Sequence, residues 1–221
     1  MDFPAQMIPS GLAWPANILF ALVLLSALRR ASLMRLLDNH FSHLFFATCV
    51  GLLLLWNTRA GVLPALNFHL LGVTVATLMF GWRMALLAVG IATAGSVLYQ
   101  GESWSVLGLN ALVTGGLPVL VTGLLLSFAQ RRLPHHFFVY IYVNSFLAAA
   151  LSMLATGVAG AGLMLAVDTA SAEWLAYQYY PYFPLVAFAE AIVSGMLMTA
   201  MVAVRPGWVC SFDDERYLHG K

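Results

Sequence analysis

Few side chains in this sequence can do chemistry, and those few stand in apolar surroundings. His69 lies in Asn67-Phe68-His69-Leu70-Leu71-Gly72. An imidazole in such a run either ligates a transition metal ion or bonds to a backbone carbonyl. Glu190, in Ala189-Glu190-Ala191, is a lone carboxylate in a long apolar stretch. It must be paired, protonated or turned toward a polar cavity, and its candidate partners are Asn110, His69 or a backbone group. A structural hydrogen-bond role and a role in ion or proton transport are both open to it. Asn110 sits in Leu107-Gly108-Leu109-Asn110-Ala111, where a buried amide can hold a loop by donating and accepting at once. The other histidines fit interfacial positions better. His40 and His43 share a helical face, whereas the adjacent pair His135 and His136 would point apart on a helix.

These residues need elements to position them, and composition decides which. The chain has 221 residues, 62% of them hydrophobic and 9% charged. A soluble domain carries about 25% charged residues. Mean hydropathy is +0.87. Formal net charge is +1 with no basic tract, so nucleic-acid binding is not expected. There is no Walker A loop and no recognisable Ser/His/Asp or Cys/His arrangement, so the chain is not expected to be an enzyme. Cys49 and Cys210 do not suggest a disulfide framework.

Apolar stretches fall at 14–28, 41–57, 62–80, 82–99, 106–129, 137–166 and 184–204. Runs of about 20 apolar residues span a bilayer as helices, which satisfy their own backbone in lipid. The expected fold is all-α, a polytopic membrane protein with about seven transmembrane helices and little outside them. The stretch 62–80 is the least regular, because Pro64, Asn67 and His69 crowd its start and Gly81 closes it; a short or broken helix is expected there. The head of the chain has no Lys or Arg, and Arg29-Arg30 follow the first apolar run, the reverse of a secretory signal.

With seven spans, Arg29, Arg30, Arg35, Arg83, Arg131, Arg132, Arg205, Arg216 and Lys221 fall on one side, and Arg59 on the other with Asp2, Glu102, Asp168 and Glu173. The positive-inside rule then puts the N-terminus outside and the C-terminus in the cytoplasm. Residues 1–205 are read as a transmembrane helical domain with an N-terminal plug segment at 1–13, and 206–221 as a cytoplasmic tail. The plug, Met1-Asp2-Phe3-Pro4 onward, is apolar and stiffened by Pro4, Pro9 and Pro15. It is either a frayed end or a segment that tucks into the bundle and presents its terminal amine and Asp2. Gly115, Gly116, Gly157, Gly160 and Gly162 are read as sites of close helix packing. Tyr177, Tyr179, Tyr180 and Tyr182 form either an outer aromatic girdle or a lid over a site.

Taken in order, Met1-Asp2-Phe3-Pro4, His69-Leu70-Leu71-Gly72, Gly108-Leu109-Asn110-Ala111 and Glu190-Ala191-Ile192 resemble the landmarks of a known family. They are similar to the CbiM/NikM-like M components of energy-coupling-factor cobalt and nickel transporters. The tail Ser211-Phe212-Asp213-Asp214-Glu215-Arg216-Tyr217 resembles a proteobacterial subgroup of that family. Members begin Met-His-Ile-Pro-Asp-Gly, carry His-Leu-x-Gly near the third span and contain Gly-Ala-Asn-x-x-Asn. The resemblance implies a multi-pass subunit of the inner (plasma) membrane that binds a divalent transition metal ion, cobalt or nickel, as substrate, with no tightly bound cofactor. It implies a separate transmembrane coupling (T) subunit and ATPase subunits as partners. By position it makes Met1, Asp2 and His69 the metal ligands, supported by Asn110 and Glu190.

This chain departs where the family binds metal. Asp2 stands in place of the family histidine, and carboxylate oxygen is harder and less selective for Ni²⁺ than imidazole. Asn110-Ala111-Leu112-Val113 also lacks the second Asn. Two alternatives therefore stand beside metal uptake: a membrane-embedded structural or assembly protein of the same fold that lost metal binding, or a substrate-binding subunit for an organic micronutrient.

Overall fold

The computed structural model describes residues 3–58, 60–61 and 67–217. The long helices are α1 (Ser10–Arg30), α2 (Asn39–Asn57), α4 (Trp82–Gln100), α5 (Trp104–Arg132), α6 (Phe137–Ala166) and α8 (Phe183–Val204). The short ones are α3 (Val73–Phe80) and α7 (Ala172–Gln178). Among the described residues, six helices are long and apolar enough to cross a membrane, with α7 and α8 counted as one. A two-residue antiparallel ladder pairs Ala60–Gly61 with Asn67–Phe68.

The distribution of side chains is the reverse of a soluble protein. Ile18, Leu22, Leu54, Leu124, Val158, Phe188 and Met196 are exposed, whereas Thr74, Thr114, Thr122, Asn144, Ser145, Ser152 and Thr156 are buried. Lipid accepts the first set, and helix neighbours supply hydrogen bonds to many of the second. This is a multi-pass membrane protein.

Local chemistry sets the helix ends. Asp38 Oδ1 accepts from His40 N at 3.0 Å and caps α2, and Ser171 Oγ accepts from Trp174 N at 3.1 Å and caps α7. Arg29 and Arg30 close α1, and Arg131 and Arg132 close α5, at the helix ends that favour cations. Two long helices carry π-helical stretches, Ala111–Gly116 in α5 and Tyr140–Leu147 in α6. In α5 the stretch precedes Pro118, which has no N–H to continue the ladder.

Neighbours α2 and α4 run parallel. At one end of the bundle Gln100 Nε2 donates to Asn57 Oδ1 at 3.0 Å, so their C-terminal ends meet. The chain between them therefore returns across the bundle. Among its described residues, α3 is the helix of this return, eight residues long, about 12 Å at 1.5 Å per residue. Every residue of α3 is buried. Residues 69–72 have no helical structure. Over the described part of the stretch, 67–80, the short helix expected there begins at Val73. Phe80, at the far end of α3, packs edge-on against Phe41 and Phe45 near the start of α2.

The two ends of the bundle differ in what they gather. One holds Phe3, Glu102 and Tyr179, since Ala5 N donates to Glu102 Oε2 at 3.3 Å and Phe3 and Tyr179 both lie against Gly160. The other holds Arg30, Arg83, Tyr140 and residues 205–217, with Arg83 Nη1 donating to Arg30 O at 3.1 Å and Trp208 Nε1 to His40 Nε2 at 3.0 Å. The C-terminal segment lies against the bundle, with Val209, Phe212 and Tyr217 buried.

Candidate metal centre

The start of the chain is seated inside the bundle. Phe3 N donates to Asn110 Oδ1 at 2.8 Å, and Asn110 Nδ2 donates to Phe3 O at 3.1 Å. Asn110 thus uses both halves of its amide on one residue's backbone. The Phe3 ring is buried, as is Ile8. Of the two readings of this segment, the tucked one describes residues 3–8. Met1 and Asp2 lie outside the described residues.

The seat is glycine-lined. A Cβ at Gly160 would stand 3.1 Å from the Tyr179 hydroxyl and 3.4 Å from the Phe3 ring. A Cβ at Gly157 would stand 2.8 Å from Phe183. Of the α6 glycines read from sequence as helix-packing sites, Gly157 packs closely against Phe183 of α8, and Gly160 is a notch for Tyr179 and the Phe3 ring. Gly115 also serves close packing, against Val89 of α4, while nothing stands within 4 Å of a Cβ at Gly162. The tyrosine segment divides in the same way. Tyr177, Tyr180 and Tyr182 are exposed, while Tyr179 is buried and stacks on Phe68 with centroids 5.4 Å apart. Tyr179 therefore bridges the Phe3 seat and the segment that carries His69.

Replacing Gly160 with Leu is expected to expel the N-terminal segment from this seat. Amide exchange at residues 3–8 should rise at least tenfold while α1 and α2 keep their protection. Unchanged exchange at 3–8 would show that the notch does not hold the plug.

His69 is 4% exposed. Its Nδ1 lies 3.1 Å from Leu70 O. A carbonyl only accepts, so this contact puts the proton on Nδ1 and the lone pair on Nε2, the arrangement that metal-ligating histidines adopt. The Trp56 ring lies 6.1 Å from the imidazole, centroid to centroid. A cavity of about 380 Å³, lined by Thr58, Phe68, His69, Leu185, Val186 and Ala189, opens between the ends of α2 and α8.

The peptide after His69 is clamped from two sides. Leu71 N and Gly72 N donate to Glu190 Oε2 and Oε1 at 2.7 and 2.8 Å. Trp56 Nε1 donates to Leu71 O at 2.9 Å. Ser194 Oγ donates to Glu190 Oε1 at 3.4 Å. The partner of Glu190 is a backbone pair, one of the three possibilities that the sequence leaves open. These N–H groups precede the first turn of α3, where no helical carbonyl reaches them. A carboxylate is the acceptor that can take both. Asn110 and Glu190 therefore do parallel work, one holding the plug and the other holding the His69 segment.

Sequence reasoning missed two residues of this framework. Asn17 Oδ1 accepts from Gly108 N at 2.6 Å, and its Nδ2 donates to Ser105 O at 2.8 Å, which ties α1 to the start of α5. Its signal is an amide inside the first apolar stretch. Trp56, read along the chain, is one more apolar residue near a helix end. Among the described residues, no three His, Cys, Asp or Glu side chains group as a metal set.

The fold is that of a multi-pass helical membrane protein with the start of the described chain seated in one end of the bundle. The chain matches the family model for the cobalt uptake substrate-specific transmembrane region, CbiM, over residues 2–208, and it belongs to that family. It is a membrane component of cobalt uptake, in a family whose members form transporter complexes with other subunits. Comparison with curated proteins and with solved structures gives no match.

Proposed function

We propose that this chain is the substrate-binding subunit of an energy-coupling-factor uptake system. Its cargo is a divalent transition metal ion, cobalt or nickel, captured from outside the cell. The proposed donors are the terminal amine of Met1, the carboxylate or backbone nitrogen of Asp2, and Nε2 of His69. The observation that carries this reading is the double hydrogen bond between Asn110 and the Phe3 backbone. It anchors the residue next to Asp2 at the end of the bundle where Tyr179 meets Phe68, beside His69. Energy comes from a separate coupling subunit and ATPases, since the chain carries no nucleotide-binding loop.

The proposed topology has seven crossings, the return through residues 69–80 being one, with the N-terminus outside and the C-terminus inside. The parallel course of α2 and α4 and the bias of basic residues support it. Reporter fusions at the two termini should give opposite readouts. Both termini on the same side would overturn the topology.

Asp2 favours a second reading, a relative of the same fold that no longer binds metal, because it removes one imidazole from the donor set. Calorimetric titration of the purified protein with Co²⁺ and Ni²⁺ separates the two. Intact-mass measurement should first establish that the mature chain starts at Met1.

A further inference from the structure

Helix α3 is a rod between two pivots. Gly72 precedes it with φ 66° and ψ −3°, and Gly81 follows it with φ 81° and ψ 160°. Both are conformations that glycine adopts at little cost and other residues rarely adopt. Few hinge positions of this kind are needed to let a packed element move as a unit.

Both ends of the rod are held by groups from elsewhere in the chain. The outer end follows Leu71 and Gly72, which Glu190 and Trp56 clamp, and His69 stands two residues before Leu71. The inner end is held by the C-terminal segment. Cys210 N donates to Met79 O at 3.0 Å, and Ser211 N donates to Leu78 O at 3.2 Å. Ser211 Oγ also donates to Leu78 O, at 2.8 Å, and meets the Tyr140 hydroxyl at 2.6 Å. The carbonyls of the last turn of a helix have no partner within it, so the segment supplies what the short rod lacks.

The two flanks of the rod differ. On one side its polar link is an exchangeable hydroxyl relay, Thr74 to Thr122 at 3.0 Å and Thr122 to Ser152 at 3.3 Å. On the other, a groove of about 280 Å³ runs beside Gly72, Val75 and Met79, with Leu52, Glu190 and Ser194 across it.

We infer that α3 is a transmission rod and that residues 209–217 are a latch on its inner end. The state of the His69 segment and the docking of the C-terminal segment are then energetically coupled, with the result displayed on the inner face where Asp213 and Glu215 are exposed. Coupling of this kind is reciprocal, so loosening either end loosens the other. The trigger, a cation at His69, rests on the proposed function; the coupling does not.

Hydrogen–deuterium exchange on the full chain in detergent tests it. Ser211→Ala and Tyr140→Phe remove hydroxyls from the latch. They should raise exchange at the Leu71 and Gly72 amides at least fivefold while α1 keeps its protection. Trp56→Phe loosens the outer end and should raise exchange at the Cys210 and Ser211 amides by a similar factor. Changes confined to the altered end overturn the inference; if Trp56→Phe does not fold, the two inner variants decide alone. In the wild type, Co²⁺ should slow exchange at 209–212, and Ser211→Ala should remove that response. Calorimetric binding of Co²⁺ with no change at 209–212 also overturns the latch. Absence of any Co²⁺ binding counts against the proposed function instead, and the variant arms still decide the coupling.

Discussion

Adding residues ahead of Met1 is expected to weaken cobalt or nickel binding at least 100-fold while leaving the bundle folded. With Met1 as the first residue, its amine lies no more than about 7 Å along the chain from the Phe3 nitrogen, at about 3.3–3.6 Å per extended residue. Phe3 cannot slide to accommodate an extension, because Asn110 holds both its N–H and its carbonyl and its ring is buried beside Gly160. His69→Ala should cost as much, since it removes the one imidazole of the proposed set. Asp2→His should tighten Ni²⁺ or Co²⁺ binding at least tenfold by restoring a nitrogen donor. Calorimetry on the four proteins reads all three effects. The amine must be neutral to bind metal, and its ordinary pKa is about 7.7–8.0. Affinity should therefore fall about tenfold per pH unit below that range. No binding by wild type and no gain in Asp2→His would mean that the site is lost. Binding indifferent to both the extension and His69→Ala would place the metal elsewhere.

The second large effect is on stability. Glu190→Leu should strand the buried Leu71 N–H, at about 1–3 kcal/mol, and the half-buried Gly72 N–H, at less. Leu is close to Glu in size, so packing changes little and the polar loss dominates. Glu190→Gln keeps one carbonyl acceptor and turns an amide donor toward the other N–H, so an intermediate loss is expected. The order of melting temperatures in detergent should be wild type, then Gln, then Leu. Equal values for wild type and Leu would show that the clamp contributes nothing. A second readout separates the clamp from bulk stability: Glu190→Leu should also raise amide exchange at residues 69–73 ahead of global unfolding.

The membrane helices were legible because lipid imposes a simple rule on composition, and apolar runs such as 14–28 and 184–204 fall within α1 and α8. The polar residues were legible as exceptions to that rule: His69, Asn110 and Glu190 each stand out in an apolar run. Their partners were harder to see, because Asn110 and Glu190 bind backbone groups, and every residue other than proline carries the same N–H. The glycines were legible in part, for a related reason. A small residue marks close approach, but the sequence does not say what approaches: at Gly157 it is Phe183 of α8, and at Gly160 it is Tyr179 and the Phe3 ring. The π-helical stretches left no trace, since Ala111–Gly116 and Tyr140–Leu147 have the same apolar composition as the helices around them. The segment before Val73 was legible only as irregular, because its backbone is held by a carboxylate 118 residues away in the chain from Gly72.

That return segment also constrains how the protein is made. An eight-residue helix preceded by peptide groups that find their partners on other helices is too short to partition into lipid unaided. During synthesis it emerges before α8, which carries the Glu190 that satisfies its first N–H groups. Yet α4 takes up a course parallel to α2 only if residues 58–81 have already gone back across. Insertion of the middle of this chain is thus unfinished business until its last long helix arrives. The nascent bundle must shelter the return segment among α2, α4 and α5, or hold α4 in a provisional orientation until α8 completes the clamp.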